Sequence, residues 1–329
     1  MGNRTVTVKF VDFWRSFDWR DNRFVRALRS QRQVTVLEPS SPEVPDILFY
    51  SRGPGCDHLR YDCLKVYFTG ENDFPDFNEC DYALSFYECD CGGRNLRYPL
   101  YMLYECDEAA CPPVLSDAEA LDRGFCSLVM SNASNCHPRR LEIVDAIEAY
   151  RPLAYGGAFR NNVGSRVEDK ISFISGYKFN LALENSVMPG YVTEKLLEPL
   201  AAATVPIYWG ADAAKHDFNP ESFVCVNDYA TFDSLVAELR RLDNDSAAYL
   251  AMLRAPSHTG DTVARMDTRL AEFLNAIADR PERRISPYGE IHNLQRRNRA
   301  LVPLWHSRVG RAAARLLVHI AKKDIRMSK

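Results

Sequence analysis

The segment from residue 179 to residue 210 constrains the fold of this 329-residue chain more than any other. Its beginning, Phe179–Asn185, alternates apolar and polar residues as a β-strand does. Thr193 is a good N-cap for a helix over Glu194–Ala203, and Val205–Trp209 has the pattern of a second strand. A strand, a capped helix and a strand within about thirty residues form a βαβ unit. The segment therefore predicts an α/β fold with a parallel sheet.

The first half of the chain repeats this succession of short strands and helices. Apolar periodicity and flanking turn residues predict strands at Thr5–Phe13, Val34–Leu37, Asp46–Tyr50, Leu64–Thr69 and Tyr82–Tyr87. Helices are predicted at Asp21–Ser30, Leu141–Ala149 and Phe232–Leu242. Because a domain usually spans about 150 residues, the length favours two domains. Pro152 and the Gly156-Gly157 pair follow a helix, so we expect domains at 1–152 and 153–290 and a tail at 291–329.

Composition and charge narrow the class of protein. The net charge of −3 does not indicate nucleic-acid binding. No stretch is long and apolar enough to span a bilayer, and the N-terminus has a strand pattern rather than that of a secretory signal. We therefore expect a cytoplasmic protein. Its ten cysteines are expected to be reduced thiols, because their spacing does not match a zinc ribbon and no export signal is seen.

The tail over 291–329 differs from the rest of the chain. It contains ten basic residues and one acid, Asp324, interleaved with apolar residues and Trp305. This composition favours a basic amphipathic helix lying on an anionic membrane, which would place the protein peripherally on the inner face of the membrane. A solvated basic tail, or a helix packed on the first domain, is the alternative.

The helix predicted after Thr193 is a candidate phosphate-binding element. Ligands of open α/β sheets bind beyond the carboxyl ends of the strands. A helix N-terminus offers free N–H groups and about half a positive charge. Lys195 can neutralise a phosphate there, and Glu194 can accept hydrogen bonds from two ribose hydroxyls. Taken alone, the triplet Thr-Glu-Lys is better explained as a capped helix start, because such triplets are common.

Arg160 is a candidate second clamp for a pyrophosphate. It follows the Gly156-Gly157 pair, which lets the backbone approach a ligand closely, and arginine binds phosphate through paired donors. Taken alone, Arg160 would be a surface charge. The sequence shows no glycine-rich dinucleotide fingerprint, no P-loop and no clear Asp-X-Asp metal motif. A metal-independent transferase needs cationic side chains to stabilise a departing diphosphate, and Arg160 and Lys195 fit that need.

Longer ordered motifs run through both halves of the chain. They are Tyr67–Asn72, Pro75–Asn78, Asp81–Ala83, Arg97–Tyr101, Tyr177–Ser186, Gly190–Lys195, Val205–Gly210 and Phe218–Val224. Together they resemble the α-1,3/4-fucosyltransferases of glycosyltransferase family 10, and most nearly the soluble bacterial members. The resemblance implies a GT-B fold, in which two Rossmann-like domains face each other across a cleft. The second domain would hold GDP-fucose, and the first an oligosaccharide acceptor.

The resemblance also implies roles for residues of the second domain. Arg160 and Lys195 would bind the diphosphate, Glu194 would bind the ribose, and Asn185 and Tyr191 would line the nucleotide pocket. No cofactor and no metal ligand are expected, with a divalent metal at most stimulatory.

Glu71 would be the general base of the family's reaction. It follows Gly70 near the carboxyl end of the Leu64–Thr69 strand, where it can face the cleft. Inverting transfer needs one carboxylate to take the proton of the attacking hydroxyl. A turn-capping role is the alternative for Glu71. Glu88, which ends the next strand, is a second candidate base, although a solvated loop acid explains it better.

The expected reaction moves L-fucose from GDP-β-L-fucose to a sugar hydroxyl with inversion. The resemblance implies an N-acetylglucosamine unit of a lactosamine or lipopolysaccharide glycan as acceptor, in α-1,3 or α-1,4 linkage. The alternatives are transfer of a sugar from another nucleotide donor, a non-catalytic nucleotide-sugar-binding protein, and a membrane-surface adaptor built on the tail.

Overall fold

The structure, a computed structural model, describes residues 5–53, 55–104, 111–131 and 137–285, together with 307, 309–310 and 312. Apart from those last four positions, the predicted basic helix over 291–329 lies outside the described residues, as do Cys106 and Cys136. Within the described ranges, no helix combines the length and the apolar composition that crossing a bilayer requires.

The N-terminal sheet has six strands, and each strand is parallel to the neighbours with which it pairs. They are β1 (Val6–Val11), β2 (Val34–Val36), β3 (Ile47–Ser51), β4 (Leu64–Phe68), β5 (Tyr82–Ser85) and β6 (Asn95–Arg97). Their order across the sheet is β2-β1-β3-β4-β5-β6, so the direction of strand addition reverses between β1 and β3. Every residue of β3, β4 and β5 is buried, as expected for a parallel sheet covered on both faces.

The second sheet has five parallel strands. They are β7 (Gly124–Leu128), β8 (Ala154–Tyr155), β9 (Tyr177–Leu183), β10 (Val205–Trp209) and β11 (Val224–Cys225). Their order is β11-β10-β9-β7-β8, so the reversal here lies between β7 and β9. Crevices for ligands open beyond the carboxyl ends of the two strands that flank such a reversal.

Helices cover both sheets of the described part. They are α1 (Arg23–Arg29), α2 (Asp117–Leu121), α3 (Arg139–Tyr150), α4 (Lys170–Ile174), α5 (Glu194–Ala201), α6 (Ala214–Asp217), α7 (Phe232–Asn244), α8 (Ser246–Leu253) and α9 (Thr262–Asp279). Helix α5 begins at the residue predicted, because Thr193 caps it by accepting a hydrogen bond from the Lys195 amide. Its buried leucines, Leu196, Leu197 and Leu200, belong to the same apolar cluster as the first sheet.

The predicted domain limits need two corrections. Strand β7 and helix α3 belong to the second sheet and its core, so the second domain begins before Gly124 rather than at 153. Helix α9 packs on α1 of the first domain, since Asp267 lies 2.5 Å from Arg23 Nη1 and Asp279 lies 2.9 Å from Arg32 Nη2. The Asn275 amide also donates to the Ala27 carbonyl of α1 at 2.9 Å. The chain thus returns to its first domain after completing the second.

Candidate active site between the two domains

The carboxyl edge of the second sheet, beside its strand reversal, holds a cluster of buried charges. Glu184 follows β9 directly and is 0% exposed. Its carboxylate accepts hydrogen bonds from the Thr193 amide at 2.7 Å and from the Thr193 hydroxyl at 2.8 and 2.9 Å. Glu184 therefore fixes the residue that caps α5, and with it the direction of the first helical turn.

Lys195 lies in that first turn with its ammonium group held among acids. Its Nζ donates to Thr193 Oγ1 and to Glu194 Oε1, both at 3.1 Å, and lies 3.6 Å from Glu184 Oε2. Burial lowers the pKa of the Lys195 ammonium, but the carboxylates of Glu184 and Glu194 raise it by more, to well above its ordinary value. Lys195 is therefore a cation over the whole physiological pH range.

The two acids of this cluster shift in opposite directions. Burial raises the pKa of Glu194, but the ammonium groups of Lys195 and Lys170 lower it by more, so its net shift is downward. Burial also raises the pKa of Glu184, which Lys195 offsets only in part. Glu194 is thus held ionised as a hydrogen-bond acceptor at the N-terminus of α5. The helix start presents both a cation and an acceptor, as a nucleotide diphosphate requires.

Asn185 is an exposed residue placed by a buried arginine of α3. Its Oδ1 accepts a hydrogen bond from Arg140 Nη1 at 3.0 Å, and its carbonyl accepts one from the His137 amide at 3.3 Å. Arg140 is 4% exposed and lines a narrow cavity of about 20 Å³ together with Lys195 and Lys170. The sequence had placed Asn185 in the nucleotide pocket but had missed Arg140 and Glu184. The available signal for Glu184 was its position, directly after a buried strand.

Tyr191 links this cluster to the first domain. Its ring packs edge to face on Phe86, with centroids 5.2 Å apart, and the residue is 2% exposed. Burial raises the pKa of the Tyr191 hydroxyl, and the carboxylates of Glu184, Glu71 and Glu194 raise it further. The contact with Phe86 thus places Tyr191 where the second domain meets the first.

Glu71 lies in the loop that follows β4. Its amide donates to Thr69 Oγ1 at 3.1 Å, and the side chain is exposed. The next residue, Asn72, donates from Nδ2 to Ser186 Oγ at 2.6 Å, which ties this loop to the loop after Asn185. The structure thus brings the predicted base Glu71 to the edge that carries the predicted donor-binding residues.

The second candidate base, Glu88, also lies where the domains meet, but beside a cation. A Cβ on Gly190 would lie 3.1 Å from Glu88 Cγ, and the Glu88 charge acts on the Arg97 guanidinium. Arg97 forms a paired ion contact with Asp217, at 2.9 and 2.6 Å, and donates to the Gly190 carbonyl at 3.0 Å. This bidentate contact joins the domains and holds the Gly190 turn, whose φ of 81° favours glycine.

Arg160 contacts helix α3 rather than the charged cluster around Lys195. Its Nη1 lies 2.8 Å from Asp145 and 2.9 Å from Glu148, both on α3, and its side chain is 39% exposed. It nevertheless lies in the loop after β8, at the same sheet edge. A Cβ on the preceding Gly157 would lie 2.1 Å from the Met130 carbonyl oxygen, so this loop packs tightly beyond the end of β7. The backbone at Arg160 has a φ of 49°.

Among the described residues, no group of three or more His, Cys, Asp or Glu is placed to hold a metal ion. The eight described cysteines are free thiols, and burial raises the pKa of Cys63 to about 11. The site therefore consists of carboxylates, ammonium and guanidinium groups, with Tyr191 between the domains. Such a set can bind an anionic diphosphate and accept a proton from a hydroxyl.

Two family models match the chain in order. The model described as the N-terminal domain of alpha-(1,3)-fucosyltransferase FucT matches residues 8–104. The model described as the C-terminal part of glycosyltransferase family 10 (fucosyltransferase) matches residues 124–275. The gap between them falls where the structure passes from the first sheet to the second.

Individual proteins are similar over different lengths. An α-(1,3)-fucosyltransferase of Helicobacter pylori is 35% identical over an alignment of 267 residues, and the match covers 70% of this chain and 55% of that protein. A 4-galactosyl-N-acetylglucosaminide 3-α-L-fucosyltransferase of Pongo pygmaeus is 40% identical over 84 residues, which are 25% of this chain and 23% of that protein. This chain thus spans about half of the first relative and about a quarter of the second.

A crystal structure of an α1,3-fucosyltransferase with GDP-fucose superposes with a TM-score of 0.71 at 29% identity. It covers 87% of this chain and 95% of that one. With two parallel α/β sheets on either side of the site, this similarity confirms the predicted GT-B fold class.

Proposed function

Because the chain belongs to glycosyltransferase family 10, we propose that it transfers L-fucose from GDP-β-L-fucose to a hydroxyl of an acceptor glycan. The observation that carries this proposal is the contact between the loop of Glu71 and the loop of Asn185, in which Asn72 Nδ2 donates to Ser186 Oγ at 2.6 Å. Tyr191 of the donor side also packs on Phe86 of the first domain, with ring centroids 5.2 Å apart. A donor group and a proton acceptor on opposite walls of one cleft are what a transfer reaction needs.

In the proposed reaction, the acceptor hydroxyl attacks the anomeric carbon of fucose as Glu71 takes its proton. The bond to the diphosphate breaks on the opposite face, so the β-linked donor gives an α-linked product with inversion. Lys195 stabilises the negative charge that develops on the departing diphosphate. Because the carboxylates around it keep the buried ammonium of Lys195 charged, this cation is in place before the donor binds.

The remaining donor contacts follow from the positions of the side chains. Glu194 accepts hydrogen bonds from the ribose hydroxyls, and Asn185 and Tyr191 line the nucleotide pocket. Arg160 joins Lys195 on the diphosphate after exchanging its contacts with Asp145 and Glu148. That exchange costs little, because exposed ion pairs contribute about 0–1 kcal/mol each.

For the acceptor, we propose an N-acetylglucosamine unit in a lactosamine or lipopolysaccharide glycan, in α-1,3 or α-1,4 linkage. The name of the Pongo pygmaeus relative, a 4-galactosyl-N-acetylglucosaminide 3-α-L-fucosyltransferase, supports the lactosamine type. A screen of disaccharide acceptors with the linkage read by NMR would separate the two linkages.

The decisive experiment compares Glu71→Gln with Glu88→Gln in an assay of GDP release from GDP-fucose and N-acetyllactosamine. Loss of a general base lowers turnover by about 10²- to 10⁴-fold, and we expect this for Glu71→Gln with GDP affinity unchanged. Glu88→Gln is the matched control, since it changes a neighbouring exposed carboxylate of the same cleft. An equal loss in both variants, or none in Glu71→Gln, would remove Glu71 from the mechanism.

Two other functions give different results in the same assay. Turnover with another nucleotide sugar and none with GDP-fucose would identify a different transferase. Tight GDP binding with no turnover of any donor would identify a non-catalytic nucleotide-sugar-binding protein.

We also propose that the basic tail over 291–329 contacts anionic membranes. Its ten basic residues against one acid are the support. Co-sedimentation with phosphatidylserine vesicles should be lost after removal of 291–329, while transfer to a soluble acceptor is retained. Equal sedimentation of both forms would contradict the proposal.

A further inference from the structure

A second cavity lies at the carboxyl edge of the first sheet, next to the loop that carries Glu71. It has a volume of about 380 Å³ and is bordered by Trp14, Asp18, Asp21, Arg26, Leu103 and Tyr104. We refer to it as the Trp14 cavity. It opens beyond β1, one of the two strands that flank the strand reversal of this sheet, which is where ligands of such sheets bind.

Two contacts connect the Trp14 cavity to the Glu71 loop. The Trp14 ring lies against Phe68, with centroids 6.3 Å apart, and Phe68 is the last residue of β4. On the other side, Gly70 packs against Leu100, since a Cβ on this glycine would lie 2.6 Å from Leu100 Cδ1. Leu100 opens the 3-10 turn that ends at Leu103, a residue of the cavity wall. The cavity and Glu71 therefore lie on the same rim.

The charges of the cavity wall are balanced. Arg26 forms a paired contact with Asp21, at 2.9 and 3.1 Å. Arg23, which also lines the cavity, lies 2.5 Å from Asp267 of α9. Asp18 uses Oδ1 to accept hydrogen bonds from the amides of Arg20 and Asp21, and Oδ2 takes part in neither. A wall with paired cations and an available carboxylate oxygen suits a neutral ligand rich in hydroxyl groups, rather than a phosphate.

Aromatic side chains also border the cavity and offer apolar surface to a sugar ring. Trp14 is half-buried and Tyr104 is 36% exposed, and both border the cavity. Phe17 packs edge to face on the Trp14 ring, with centroids 5.2 Å apart, and so holds that ring in place. An aromatic ring offers a large, rigid apolar face, on which the C–H face of a sugar ring can pack while its hydroxyls bond to carboxylates.

We propose that the Trp14 cavity is an acceptor subsite, which binds the sugar unit next to the one that receives fucose. The ring packs on Trp14, and its hydroxyls donate to Asp18. This inference rests on the proposed transferase function, since it assigns the acceptor's outer ring to one wall of the same cleft. It implies that the enzyme distinguishes a disaccharide acceptor from a monosaccharide through the first domain.

The test compares N-acetyllactosamine with free N-acetylglucosamine as acceptors of the full-length chain. We expect Trp14→Ala to raise KM for the disaccharide about tenfold, with kcat and both the donor KM and the monosaccharide KM unchanged. Trp14→Phe should recover most of the loss, because it keeps a ring. Trp19→Ala is the matched control, since this second tryptophan of the same loop lines a neighbouring cavity instead and stacks on Arg20.

Equal KM values of wild type and Trp14→Ala for the disaccharide would overturn the proposal while leaving the transferase function intact. So would an equal rise for both acceptors. Asp18→Asn is a second variant, at an exposed position that should not disturb folding, and it should raise the disaccharide KM alone.

If the wild type transfers no fucose at all, saturation-transfer NMR with N-acetyllactosamine still tests whether the cavity binds the sugar. Signals from the galactose ring that disappear in Trp14→Ala but persist in Trp19→Ala would support the subsite, and their absence in the wild type would refute it.

Discussion

At its carboxyl edge the second sheet presents buried charged side chains, whereas the first sheet presents aromatic rings beside exposed ion pairs such as Arg26–Asp21. Both edges lie beside a strand reversal, between β7 and β9 in one case and between β1 and β3 in the other. Beyond the second sheet lie Glu184, Lys195 and Arg140, all buried or half-buried and bonded to neighbours. Beyond the first lie Trp14 and a stack of phenylalanine rings around it.

We propose that this difference lets one topology bind two kinds of ligand. A diphosphate is an anion, so the sheet edge that binds a diphosphate needs cations that are already held in place in the free protein. A sugar is neutral, so its edge needs an apolar face and a few acceptors. The acidic groups that hold Lys195 keep it charged, and the aromatic residues that hold Trp14 keep its ring in place. The comparison supports the proposal that the donor binds at the second sheet and the acceptor at the first.

The largest effect that should distinguish the two edges comes from Lys195→Met. A hydrogen bond to a charged group contributes about 1.5–3 kcal/mol, so GDP affinity should fall about 10- to 150-fold, measured by titration calorimetry. Lys178→Met is the matched control. Lys178 lies at the opposite end of β9, with its Nζ 3.3 Å from Asp243, and its side chain is 13% exposed against 21% for Lys195. Similar losses of GDP affinity in both variants would mean that the charged edge is structural.

A smaller effect should separate the two arginines of the charged edge. Arg160→Gln is expected to lower GDP affinity about tenfold with little change in melting temperature, because its exposed pairs with Asp145 and Glu148 stabilise the free protein weakly. Arg140→Gln should lower the melting temperature more, because the buried guanidinium holds Asn185.

The reverse ranking would assign the diphosphate clamp to Arg140. It would also mean that Arg160 keeps its contacts with α3 when the nucleotide binds. Measuring GDP affinity and melting temperature on the same preparations separates a binding role from a folding role in each variant.

The βαβ unit of the charged edge was predicted closely from the sequence. Strand β10 has the predicted bounds, and α5 begins where predicted and ends two residues earlier, at Ala201. Local sequence was sufficient to predict this unit. A capping threonine defines a helix start, and a short run containing valine and isoleucine defines a strand, without any contact to distant parts of the chain. The family motifs and the GT-B fold class were likewise recognised from these segments.

Features that depend on long-range packing were missed. Strand β7 is only five residues long and gave no alternation, and its membership of the second sheet is defined by pairing with β9, far along the chain. The range of helix α9 fell inside the predicted second domain, 153–290, because its contacts with α1 of the first domain join residues that are far apart in the sequence. Glu184 was read as part of the alternating strand Phe179–Asn185. Its hydrogen bonds with Thr193 depend on how the loop between the two residues folds, and the strand pattern does not show this.

The smallest expected effect concerns the ion pair between His58 and Asp12 in the first domain. Asp12, directly after β1, accepts a hydrogen bond from His58 Nδ1 at 2.7 Å, and His58 Nε2 lies 3.9 Å from Glu79. Burial lowers the pKa of His58, but Asp12 and Glu79 raise it by more, against the opposing charge of Lys65. A histidine whose pKa rises on folding stabilises the protein below its unfolded value, about 6.5, and loses that contribution as the pH rises through the folded value.

Melting temperature should therefore fall from about pH 6 to about pH 9 in the wild type, and this slope should be smaller in His58→Gln. The variant should melt a few degrees lower at the acid end, with the two curves approaching each other at the alkaline end. His216→Gln, at an exposed histidine of the second domain, should keep the wild-type slope. In the charged edge, the shifts of Lys195 and Glu194 move their titrations away from neutral pH, whereas the raised pKa of Glu184 adds a slope of the same sign as that of His58. The difference between the wild type and His58→Gln therefore isolates the contribution of the histidine. A slope that survives in His58→Gln would place the pH-sensitive element outside the aromatic edge.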